Sequence, residues 1–235
     1  MSVSSPKSIA AYIWYLPLLF VALFAFFFGI DLFLDLHLAK AVGFPRTGAG
    51  IVGIFLGAFV HGDLFHLFSN GLSFLILGVA VLFFYEKIGL KVFFLLYPLT
   101  GFGIWLFAHQ GYHIGASGWL YGLAAFLFAG GIFRAEKASL MVSLAVAVLY
   151  SGLLAGILPT PEIKAAHISW EAHLIGLVIG FVLAFIYKDE KIRILQESEQ
   201  AGAQKKQTAA AEKPTFGFVP LRGKHFYYTF KEKEK

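Results

Sequence analysis

The chain of 235 residues contains no cysteine and little charge. Without thiols there is no disulfide, no thiolate metal site and no cysteine nucleophile. Charged residues make up 14% of the chain, against about 25% in an ordinary soluble domain. That deficit excludes a disordered chain, a coiled coil and most soluble enzymes. Several chemical signatures are missing as well. There is no H-E-x-x-H, which argues against an intramembrane zinc protease. No two aspartates face each other within apolar segments, which argues against an aspartyl one. The stretch Gly115-Ala116-Ser117-Gly118 is not G-x-S-x-G, so the elbow of soluble hydrolases is not indicated. No phosphate loop and no internal repeat of the transporter kind is present.

Apolar residues account for 58% of the sequence and aromatics for 17%, with a mean hydropathy of +0.74. Apolar runs of about 20 residues recur, long enough to cross a bilayer as helices. Lipid leaves backbone groups no partner but their own chain, so runs of this length are helical. The reading is an all-α membrane protein with six spans, near residues 12–30, 63–85, 92–107, 117–133, 140–158 and 172–187. The first loop is long. Its short apolar run, 51–60, reads as interfacial or re-entrant because it is too short to span.

Charge divides the chain into a cytoplasmic N-terminus (1–11), a membrane domain (12–187) and a charged cytoplasmic tail (188–235). Residues 12–187 hold seven basic and seven acidic side chains, whereas 188–235 hold eleven and seven. The basic balance is therefore a property of the tail and does not describe a nucleic-acid surface. Lys7, Lys87, Lys91, Arg134, Lys137, Lys188, Lys191 and Arg193 fall on one side of the six spans, and Lys40, Arg46 and Lys164 on the other. The positive-inside rule then puts both termini in the cytoplasm of a multi-pass cell-membrane protein. The tail is expected to be mostly disordered. A sharper alternative has Phe216, Phe218, Phe226, Tyr227, Tyr228 and Phe230, with their lysines, touching anionic lipid.

Polar groups inside apolar helices are costly and point to function. They gather at the starts of the second, fourth and sixth spans: His61, Asp63, His66 and Asn70; Ser117 and Tyr121; Glu171 and His173. Alternate spans enter from the same side, so the three groups meet at one depth. His66 and Asn70 share a face at i, i+4. On a continuous helix His61 would stand about 140° from His66, which makes no two-histidine metal face. Gly118 and Gly122 on one span, and Gly176, Gly180 and Ala184 below His173 on another, form small-residue stripes that let helices approach closely. Close approach would bring Ser117 to His173, and a serine needs such a base to attack a carbonyl at neutral pH.

Each residue also has a plainer reading. Ser117 could be a helix N-cap, His173 an interhelical hydrogen-bonding residue, His66 with Asn70 a structural pair, and Tyr121 a packing residue. Glu171 reads as interfacial, Asp63 and Glu86 as helix-end charges. His109 and His113, in the loop before Ser117, are rival bases.

Taken together these residues resemble the rhomboid family of intramembrane serine proteases. The resemblance runs from about Arg46 to Tyr187. It rests on His61, His66 and Asn70 in H-x4-H-x3-N spacing, on Gly115-Ala116-Ser117-Gly118 followed by Tyr121, and on Ala172-His173 followed by Gly176 and Gly180. Pro45-Arg46-Thr47 stands where many members carry a Trp-Arg pair. The resemblance implies a six-helix rhomboid-like bundle with Ser117 as nucleophile and His173 as base. It implies an oxyanion hole from His66, Asn70 and the Ser117 N–H. Gly115 would shape the neighbouring loop and Tyr121 would pack on His173, while His61 would be structural. The implied substrates are single-span membrane proteins in the bilayer. No cofactor or metal is indicated, and the sequence assigns no oligomeric state.

Overall fold

The computed structural model describes residues 6–161, 163, 168–190 and 192–211. Lys164, Lys191 and the aromatic residues from Phe216 onward therefore lie outside the described residues. Contacts divide the chain into Met1–Leu195 and Gln196–Lys235. All described elements are helical: α1 (Pro6–Leu34), α2 (Leu38–Ala41), α3 (Ile51–Leu56), α4 (Leu64–Phe84), α5 (Gly89–Phe107), α6 (Ser117–Arg134), α7 (Lys137–Leu149), α8 (Trp170–Ile186) and α9 (Arg193–Ala211), with 3-10 turns at Gly57–Phe59 and Ser151–Ile157.

Three helices among the described residues are long and apolar enough to cross a membrane: Ala11–Leu34, Leu64–Phe84 and Gly89–Phe107. A fourth span results if α7 and the following 3-10 turn are one broken crossing, bent by 63°. The continuous helix expected over 140–158 is thus interrupted at Tyr150. The other two expected spans have physical reasons to look weaker. Helix α8 has 17 residues, and α6 is rich in small residues because it is the central helix, packed on α4, α5, α7 and α8. Side chains facing outward are apolar: Phe33 is 85% and Phe65 82% exposed. In water such faces would be an aggregation liability, and in lipid they are the required surface. This is a multi-pass membrane protein.

The interior at one end is aromatic. Phe20, Phe24, Phe59, Phe74, Phe93 and Trp119 pack mostly edge to face, with Phe74 and Trp119 rings 4.7 Å apart and Phe20 and Trp119 5.2 Å apart. Edge-to-face contacts suit the ring quadrupoles. The Trp119 indole also donates to the Phe93 carbonyl at 3.1 Å, which satisfies a buried N–H.

The long first loop is tied to the end of α5. The Arg46 N–H donates to the Trp105 carbonyl at 3.0 Å, and its guanidinium to the Ala108 and Leu106 carbonyls at 2.5 and 3.2 Å. A cation on the last carbonyls of a helix completes bonds that the helix cannot make itself. Trp105 Nε1 returns a bond to the Thr47 carbonyl at 3.0 Å. At the opposite end, Arg134 donates to the Gly130 carbonyl at 2.7 Å, to Glu190 at 2.6 Å, and to Tyr187. With Ile192 fully buried in the core, the compact unit continues past Tyr187, where the charge shift alone would have ended it.

The start of the tail departs from expectation. It is helical over Arg193–Ala211, where disorder was expected. The segment is rich in Ala, Gln, Lys and Glu, all strong helix formers, so low complexity here coincides with high helix propensity.

Candidate active site

Helix α4 begins with Asp63 as its N-cap, whose Oδ1 accepts the His66 N–H at 2.8 Å. This fixes the first turn and sets His66 and Asn70 on one face. His61 lies ahead of the helix, in the turn before Asp63. The helical-wheel separation of His61 from His66 therefore does not apply, and their rings are only 5.0 Å apart. His61 is buried, with Nδ1 3.2 Å from the Phe59 carbonyl and Nε2 3.1 Å from Asn70 Nδ2. The network assigns the proton to Nδ1, because Nε2 faces an amide donor. One Asn70 N–H is held by His61 and the second is left to point elsewhere.

The loop before α6 supplies the next component. Gly115 has φ +95°, a conformation that side chains disfavour. A Cβ there would also overlap the His66 ring and stand 3.2 Å from Asn70 Nδ2. Gly115 is thus where the Ser117 loop passes directly over His66 and Asn70. The helix N-cap is Ala116, not Ser117. Ser117 occupies the first helical position, and its hydroxyl is directed at another helix.

That helix is α8. Its N-cap is Ser169, which accepts the Ala172 N–H at 3.4 Å. His173 lies one turn in and is 7% exposed. Its Nε2 is 2.8 Å from Ser117 Oγ, and its Nδ1 is 2.9 Å from the Gly156 carbonyl oxygen. The Tyr121 ring stacks on the imidazole, centroids 4.1 Å apart and planes 9° from parallel. The Tyr121 hydroxyl donates to the Leu153 carbonyl at 2.7 Å.

The glycine stripes explain how the two helices come so close. A Cβ on Gly176 would overlap the Gly118 carbonyl oxygen, and one on Gly180 the Gly122 carbonyl oxygen. At Gly118 a Cβ would stand 3.0 Å from the Ala172 carbonyl. Backbone rests on backbone, the packing that small residues permit in membranes.

The rival bases are placed elsewhere. His109 Nδ1 is 2.5 Å from Glu171 Oε1. His113 Nδ1 is 2.6 Å from Ser169 Oγ, and its Nε2 donates to the His109 carbonyl at 2.9 Å. Both histidines link the loop ahead of Ser117 to the N-terminus of α8, and Glu171 faces that loop. Burial holds His113 below the usual histidine range, with the His109 carbonyl and Glu171 opposing that shift and the His109 ring and Arg46 adding to it. A cleft bordered by Tyr97, Thr100, His113, Gly115, Gly118 and Ala172 adjoins the pair. Thr100 Oγ1 is buried there without a hydrogen-bond partner. No cluster of three or more metal-binding side chains occurs among the described residues.

Sequence reasoning did not single out Gly156, Leu153 or Thr100. The first two act through backbone carbonyls, which leave no residue-type signal. Thr100 is an ordinary hydroxyl in an apolar helix.

The family model of the rhomboid domain matches residues 49–190. The chain belongs to the rhomboid family. This is a family of intramembrane serine proteases acting on membrane-protein substrates, and every residue of the site lies within the matched segment. An uncharacterized protein of Mycobacterium tuberculosis is 31% identical over 172 residues, 68% of this chain and 68% of its own length. An uncharacterized protein of Mycobacterium leprae is 28% identical over 158 residues, 62% of this chain and 61% of its own. RHOMBOID-like protein 1 of Arabidopsis thaliana is 30% identical over 142 residues, 57% of this chain and 34% of its own.

Proposed function

We propose that this rhomboid is an intramembrane serine endopeptidase that cuts single-span membrane proteins with a Ser117–His173 dyad. The observation carrying the reading is the 2.8 Å approach of Ser117 Oγ to His173 Nε2 across two helices, with the far ring nitrogen already occupied by a carbonyl. That is the hydrogen-bonded nucleophile–base pair with an orienting third group that acyl transfer needs.

The steps follow from the geometry. Ser117 Oγ attacks the scissile carbonyl carbon while its proton passes to His173 Nε2. The carbonyl oxygen becomes an oxyanion, received by the Ser117 N–H, the free Asn70 N–H and His66. Such donors are worth most in a low-dielectric site. His173 then gives its proton to the leaving amine, and the peptide C–N bond breaks. Water, deprotonated by the same histidine, releases the acyl chain from Ser117. Gly115 keeps the loop backbone against His66 and Asn70, His61 orients the Asn70 amide, and Gly118, Gly176 and Gly180 keep α6 and α8 in contact.

In this reading α6 and α8 complete six crossings with α1, α4, α5 and the broken α7. Both termini are cytoplasmic in the cell membrane, as the basic residues imply. The dyad then opens toward the outer face, and no cofactor takes part. The decisive experiment is cleavage of a transmembrane substrate in liposomes, with fluorophosphonate labelling alongside. Ser117→Ala loses both. A folded Ser117→Ala protein that still cleaves removes Ser117 as the nucleophile.

A further inference from the structure

We propose that the backbone carbonyl of Gly156, delivered by the 3-10 segment Ser151–Ile157, positions the catalytic base. It selects the Nδ1–H tautomer of His173 and so leaves Nε2 free to accept the Ser117 proton. The proposal rests on the Ser117–His173 reading above and extends it to an element outside the two reacting helices.

An imidazole has two neutral tautomers, and only the one with its proton on Nδ1 presents a lone pair to Ser117. In triads a buried carboxylate makes this selection. Among the described residues no carboxylate is bonded to His173. The Nδ1 partner is the Gly156 oxygen at 2.9 Å, and a carbonyl can only accept, so the proton on Nδ1 is dictated. Gly156 sits near the C-terminal end of a short 3-10 turn, where carbonyls lack intrahelical partners and are free to bond outward. When His173 takes the serine proton, the same bond becomes charge-assisted and strengthens. It therefore favours the charged state over the resting one.

Two further contacts make this a built arrangement. Tyr121 holds both parties: its ring fixes the plane of the imidazole, and its hydroxyl grips the Leu153 carbonyl three residues before Gly156. The position also requires glycine by close approach. A Cβ on residue 156 would overlap the Tyr121 hydroxyl and lie 3.0 Å from His173 Nδ1. The 63° bend after α7 is the device that turns this carbonyl-bearing segment out of line with its helix. Movement of the bent pair would thus reach the dyad through one hydrogen bond.

The test uses the full-length protein in liposomes or detergent, with ring-15N histidine. The His173 signals are identified by their loss in His173→Ala. In the native protein His173 should be a single tautomer with a protonated Nδ1. In Gly156→Ala the ring nitrogens should move toward a tautomer mixture. The turnover number should fall roughly 10- to 100-fold, less than the roughly 10²–10⁴-fold a positioned acid–base group supplies because the base itself remains, with KM changed less than about twofold. Tyr121→Phe keeps the stacked ring, removes the bond to Leu153, and should shift the tautomers and turnover in the same direction by less. Should Gly156→Ala fail to fold, Tyr121→Phe decides. Folded variants with native tautomer populations, or a shifted tautomer with unchanged turnover, overturn the proposal. Persistent cleavage by Ser117→Ala would instead sink the Ser117–His173 dyad reading, and the tautomer measurement would stand apart from it.

Discussion

Gly176 rests on the carbonyl oxygen of Gly118 so closely that no Cβ fits between them. The contact lies one residue past Ser117 on α6 and three residues past His173 on α8, so the separation of the two backbones there sets the reach of the hydroxyl to the imidazole.

Replacing Gly176 with alanine should push α8 away from α6. Overpacking of this kind costs about 1–3 kcal/mol, and a misplacement near 1 Å at the reacting atoms costs on the order of 10²-fold in rate. Turnover should therefore fall well before the protein unfolds, as read by a cleavage assay beside a thermal melt. Full activity in Gly176→Ala would mean the helix spacing is not what holds the pair together.

His173→Ala and Ser117→Ala should each reduce cleavage to background, and the double substitution should be no worse than either. Groups that act as a unit lose their function together. Additive losses in the double variant would show that the two side chains contribute separately.

Asn70→Ala should lower the turnover number by roughly 10²–10³, the usual cost of losing one oxyanion donor, without abolishing cleavage. His61→Ala should have a smaller effect in the same direction, because it removes the partner that orients the Asn70 amide and not the donor itself. If His61→Ala is the more damaging of the two, the assigned roles are reversed.

Stability should depend on pH through His113. Burial places its folded-state value below that of the unfolded chain, so the unfolded chain binds the extra proton first. The stabilising contribution is present above about 6.5, the ordinary histidine value. It is lost as pH falls from there through the folded-state value. Thermal midpoints measured near pH 7.5 and pH 5 should differ less in His113→Gln than in the native protein. An identical drop in both would assign the pH dependence to other groups.

Removing residues 196–235 should leave cleavage of a small transmembrane reporter intact. Those residues form a unit of their own, and every group at the site precedes them. Loss of activity in a truncated protein with a native melt would give the tail a catalytic role.

Much of this was legible along the chain. His66 and Asn70 at i, i+4, Ser117 at the start of a helix, and His173 above Gly176 and Gly180 are short-range patterns, and helical periodicity converts them directly into faces. Other features depend on contacts between distant segments. His61 looked like a helix residue, yet the Asp63 cap starts α4 beyond it. His109 and His113 were plausible bases until Ser169 and Glu171 were seen to occupy them. The break at Tyr150 interrupts an apolar run with no proline or charge to announce it.

The sequence by itself determined the class of molecule, the helices that carry the polar groups and the residue types able to react, because composition, spacing and side-chain chemistry are properties of the chain alone. Only the tertiary structure decided which nitrogen of His173 faces Ser117 and that a backbone carbonyl occupies the other. Hydrogen bonds across 17 and 56 residues of separation depend on how helices pack. A carbonyl, being common to every residue, cannot be singled out until packing aims it.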